Sequence, residues 1–85
     1  DSGYAGQPEV EAAVRLSLGE TFAALSLLDE AEQQLRAALA LLDGVDGAEP
    51  RDRAALEFQL GRVRFSQDQL DEAERLLESA RATYI

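Results

Sequence analysis

Apolar residues recur along this chain at helical spacing. Val14, Leu18 and Phe22 fall at every fourth position, and Leu25 follows three residues later. Leu28, Ala31, Leu35, Ala38 and Leu42 then alternate steps of three and four, as do Leu70, Ala73, Leu77, Ala80 and Tyr84. Such spacing draws an apolar stripe along one side of a 3.6-residue helix. Pro8 and Pro50 stand where a helix begins, the one place where a missing N–H costs nothing. Ser26 and Asp68 precede the second stripe of each half, and an acid follows three residues on (Asp29, Asp71). They are expected to cap the free N–H groups of a first turn. The pattern predicts helices near 9–25, 27–42, 51–66 and 69–84, so the fold class is all-α.

The two halves are copies. Shifted by 42 residues, 8–43 overlies 50–85 without a gap, and 13 of 36 positions are identical. The pairs include Pro8/Pro50, Gly19/Gly61 and the whole block LDEAE at 28–32 and 70–74. Any helical bundle would show apolar stripes, but it has little reason to repeat a glycine and a five-residue block at fixed distance. The chain therefore divides into a loose tail (1–7), a first hairpin (8–43), an acidic, Gly-containing connector (44–49) and a second hairpin (50–85).

Composition narrows the function. Seventeen acids against eight basic residues give a net charge of −9. That field repels phosphate backbones and anionic membranes, so neither nucleic acid nor membrane is an expected partner. No run of apolar residues is long enough to span a bilayer. All eight basic residues are arginine; lysine, histidine and cysteine are missing. Thiolate and imidazole ligands, Schiff-base chemistry and the usual neutral-pH base go with them. Asp43, Asp46 and Glu49 lack the spacing of a calcium loop. Glu30/Glu32 and Glu72/Glu74 lie two apart and point to different faces. No enzyme, cofactor or metal is expected. The lack of cysteine fits a cytoplasmic protein, the Ala, Leu and Arg content a bacterial source with a GC-rich genome, and the start without methionine an excised piece.

A Leu-Gly pair, an aromatic three residues on, then Ala, a large apolar residue and Ala resembles the tetratricopeptide repeat. The first unit carries it as Leu18-Gly19, Phe22, Ala31, Leu35 and Ala38, the second as Leu60-Gly61, Ala73, Leu77 and Ala80. Arg64 stands where the second unit should have its aromatic, and no proline ends the second helices. The 42-residue period is similar to the longer variant of kinesin light chains and bacterial regulatory proteins. The resemblance implies two stacked helix-turn-helix hairpins, four antiparallel helices in a solenoid fragment, with Gly19/Ala31 and Gly61/Ala73 allowing close approach.

The resemblance also implies a protein-interaction scaffold whose first helices line a concave groove. The matching positions are Leu16, Glu20 and Ala23 in unit one and Phe58, Arg62 and Phe65 in unit two. Two rings flanking a guanidinium would grip a peptide or partner helix; alternatively the rings pack between adjacent first helices and Arg62 is merely solvated. The Lys and Asn clamp by which some members hold a C-terminal carboxylate is absent, since Leu16, Glu20, Phe58 and Arg62 occupy its sites. Arg51, Arg53, Arg62 and Arg64 make the third helix mildly basic, suited to steering an acidic partner or simply to solvation. A second reading is self-association. Leu76, Leu77, Ala80, Tyr84 and Ile85 supply apolar groups on or near the outer side of the last helix, and two units are fewer than such arrays usually need.

Overall fold

The computed structural model describes residues 7–84. Its helices are α1 (Pro8–Ala24), α2 (Leu28–Asp43), α3 (Pro50–Ser66) and α4 (Leu70–Tyr84), each bound within about one residue of the expectation. α1 packs on α2 and α3 on α4, while α2 joins the hairpins by packing on α3 and α1 only touches α3. The result is a slab of 39 × 30 × 15 Å. Most of the tail expected at 1–7 lies outside the described residues; Gln7 itself is the N-cap of α1, its carbonyl accepting the Glu11 N–H at 3.0 Å.

The core follows from where small residues sit. Ala31, Leu35 and Ala38 are fully buried on α2, and Leu56, Leu60 and Val63 nearly so on α3. Burying a leucine contributes about 1.5–3 kcal/mol, and Leu35 reaches the neighbouring helix because a glycine opposes it. A Cβ on Gly19 would lie 2.7 Å from Leu35 Cγ and Cδ2, and one on Gly61 2.9 Å from Leu77 Cγ and Cδ2. Carbon atoms rest about 3.5–4.0 Å apart, so each glycine is the socket for a leucine of its own hairpin.

Two sequence expectations need correction. The stripe read on α1 is not its core face: Val14, Leu18 and Leu25 are 36%, 41% and 63% exposed, whereas Ala12 and Gly19 are buried and Leu16, Phe22 and Ala23 partly so. The reason lies in the repeat. Val14 and Leu18 correspond to Leu56 and Leu60, which α3 buries against the preceding hairpin; α1 has no such neighbour among the described residues. Nor do Ser26 and Asp68 cap the second helices, which begin without a side-chain cap bond at Leu27 in the first hairpin. Both adopt the left-handed conformation (φ 62° each) and close the first helices instead. The Leu27 N–H bonds to the Phe22 carbonyl and that of Ser26 to Ala23; Gln69 to Arg64 and Asp68 to Phe65 repeat the pattern. This is the Schellman closure, ordinarily built with glycine.

Candidate protein-binding surface

The exposed face of α3 is set by what its other faces bury. Ala54, Leu56, Glu57, Leu60, Gly61 and Val63 turn inward, which leaves Phe58, Arg62 and Phe65 outside. Phe58 is 41% and Phe65 63% exposed, so neither ring is packed away between the first helices. The Arg62 guanidinium lies 5.8 Å from the Phe58 ring centroid, a cation–π distance.

Between α1 and α3 runs a cleft of ≈ 730 Å³, within the size range of ligand sites. Glu20 and Ala23 form one wall, and Gln59, Arg62, Val63 and Phe65 the other. Leu28 and Leu77 reach it from the second helices. Four of the six expected groove residues thus share one cleft. Leu16 lies apart, in a smaller cavity of ≈ 100 Å³ with Ala12, Leu42 and Leu56, and Phe58 lines neither. The basic character expected of α3 is largely neutralised. Arg53 pairs with Asp43 and Glu57, and Arg64 with Glu32 and Glu72. Among the described residues, Arg51 and Arg62 make no ion pair.

The self-association residues divide. Ala80 is 1% exposed and sits inside the α3/α4 hairpin, since α3 is the helix that α4 packs on. Leu76 packs partly against the main core. Leu77 is half-buried, Tyr84 is 55% exposed, and Ile85 lies outside the described residues. Leu70, 54% exposed, belongs to the open end as well. Leu70, Leu77 and Phe65 line a cavity of ≈ 440 Å³ there.

Sequence reasoning missed the charge cluster that ties the hairpins together. Arg64 donates to Glu72 at 2.8 Å, to Glu32 at 3.2 Å and to Gln67 at 2.8 Å. Arg36 donates to Glu32 at 2.8 Å and to both oxygens of Glu72 at 2.9 and 3.0 Å. Gln67 adds bonds to Asp29 and Glu32. Three helices, α2, α3 and α4, thereby share one network. The Arg36 hydrogen bond, reinforced by Gln67 and the Arg64 charge, outweighs partial burial and holds the Glu32 carboxyl below its ordinary value. For Glu72, burial is the largest single influence and acts upward, but the hydrogen bonds and charges of Arg36 and Arg64 together overcome it. The signal was the arginine at 64 in an aromatic position, with an acid of each LDEAE block in reach.

A family model described as tetratricopeptide repeat matches residues 10–85. No curated protein and no solved structure matches the chain.

Proposed function

The chain belongs to the tetratricopeptide repeat family, and from that premise we propose that it binds a peptide or partner protein in the cleft between α1 and α3. Repeats of this family are generally protein–protein interaction modules rather than catalysts. The carrying observation is the pair Arg62 and Phe65 on the open wall of that cleft, an unpaired cation beside an exposed ring. Aromatic and arginine side chains are the usual anchors of protein interfaces. The role is that of a scaffold segment, not an enzyme, and no helix among the described residues is long and apolar enough to cross a membrane. The 42-residue period supports the longer repeat variant of kinesin light chains and bacterial regulatory proteins, and with the cysteine-free composition a cytoplasmic setting.

The test takes a peptide selected on the purified chain from a random dodecapeptide library. Its binding is lost in Phe65→Ala and Arg62→Ala and kept in Tyr84→Ala. Binding that survives both cleft substitutions refutes the reading.

One observation favours self-association as a second reading. Where α2 meets α3, Leu42 and Leu60 are 4% and 1% exposed, while their counterparts at the two ends, Tyr84 and Leu18, are 55% and 41% exposed. The ends are thus the two halves of a contact the molecule already makes once, and head-to-tail copies would remake it. Light scattering on the purified chain then shows oligomers that Leu70→Glu and Tyr84→Glu dissolve. A monomer at high concentration removes this reading.

A further inference from the structure

We propose that the α1/α3 cleft selects segments carrying one basic and one acidic side chain next to an apolar one, with Glu20 taking the base and Arg62 the acid. This rests on the concave-face reading above and narrows its ligand. Glu20 and Arg62 occupy the same place in the two repeats, 42 residues apart, yet carry opposite charge. Both line the cleft. Among the described residues neither has an ion-pair or hydrogen-bond partner, and they do not pair with each other. Five other arginines of the chain are held in ion pairs; Arg51 and Arg75 are unpaired among the described residues but do not line this cleft, whereas Arg62 is a donor left open on its wall. Phe58 under its guanidinium helps fix the direction in which it donates.

The apolar part of the ligand has its place beside the two charges, one helical turn on, where Ala23 and Phe65 (themselves equivalent positions) line the same cleft. A purely acidic segment meets Glu20 and the net charge of −9; a purely basic one meets Arg62. Only a segment with both signs satisfies both groups. A segment laid across the two walls carries its charges far enough apart to reach from α3 to α1, each residue of an extended chain advancing about 3.3 Å. Because the groups differ in sign, they also fix the ligand's polarity across the repeats.

The experiment selects random dodecapeptides on the wild-type chain and on the double reversal E20R/R62E, with circular dichroism confirming equal helicity. Wild type enriches peptides with a base and an acid in one order, and the reversed chain enriches the opposite order. Measured by fluorescence polarisation, the wild-type peptide binds Glu20→Gln and Arg62→Gln each about threefold to tenfold more weakly. Enriched peptides without paired charges, or one charge order on both chains, overturn this inference and leave the groove reading standing. No enrichment at all, or binding indifferent to Phe65→Ala, overturns both.

Discussion

Gly19→Ala and Gly61→Ala are the same substitution at equivalent places in two copies, yet the structure predicts different costs. The new methyl on Gly19 would stand 2.7 Å from Leu35, a side chain with 0% exposure and so nowhere to go. At Gly61 the clash is with Leu77 at 2.9 Å, a half-buried side chain that lines the open end cavity and can swing into it. Overpacking costs about 1–3 kcal/mol. Replacing a mid-helix glycine by alanine returns about 1 kcal/mol. Gly19→Ala should therefore lose about 1–2 kcal/mol net, near the top of the overpacking range less the propensity gain. Gly61→Ala should stay within about 1 kcal/mol of the parent, since Leu77 relieves most of the strain. In thermal melts followed by helical circular dichroism, that lowers the midpoint of Gly19→Ala by about 5–15 °C, given roughly 4–8 °C per kcal/mol at this size. Gly61→Ala should melt close to wild type. A Gly19→Ala chain as stable as the parent, or a Gly61→Ala chain hurt more, would refute the socket argument.

Ser26→Gly and Asp68→Gly should each stabilise, by about 0.5–1 kcal/mol, because both positions are left-handed and L residues are strained there; Asp68, which tolerates that region better, should gain less in the same melts. Arg64→Ala should cost about 1–2 kcal/mol, between the values for surface and buried pairs, and Arg36→Ala less, its side chain being 44% exposed against 18% for Arg64. Urea midpoints of the two would show the order. Glu32 and Glu72 have folded pKa values below the ordinary 4.5, so their contribution is whole above that pH and lost as pH falls through the depressed folded values. Wild type should lose more stability than Arg64→Met between pH 4.5 and the acid limit; equal losses would separate the cluster from acid sensitivity.

The fold was legible because its determinants are local and repeated. Pro8 and Pro50 marked helix starts, and the alternating steps of α2 named its buried residues, since both its faces are covered. The same rule failed on α1. Periodicity reports that a face is apolar, not that a neighbour covers it, and Val14 and Leu18 are apolar on an open face. Ser26 and Asp68 misled because a small polar residue between helices serves equally as the start of one or the end of another, and only backbone direction decides. The cleft was half legible. Offsets within α3 put Phe58, Arg62 and Phe65 on one face and the family resemblance turned that face to the groove, but no offset reveals that Arg53 and Arg64 are neutralised across helices while Arg62 is not.

Nuclear magnetic resonance of the isotope-labelled chain, titrated with a selected peptide, asks the main question most directly. Concave-face recognition predicts shifts that gather at Glu20, Ala23, Arg62 and Phe65, with Glu30, Arg75 and Glu78 on the second helices unmoved. Shifts that gather on α2 and α4 instead, with the α1/α3 cleft silent, would contradict it.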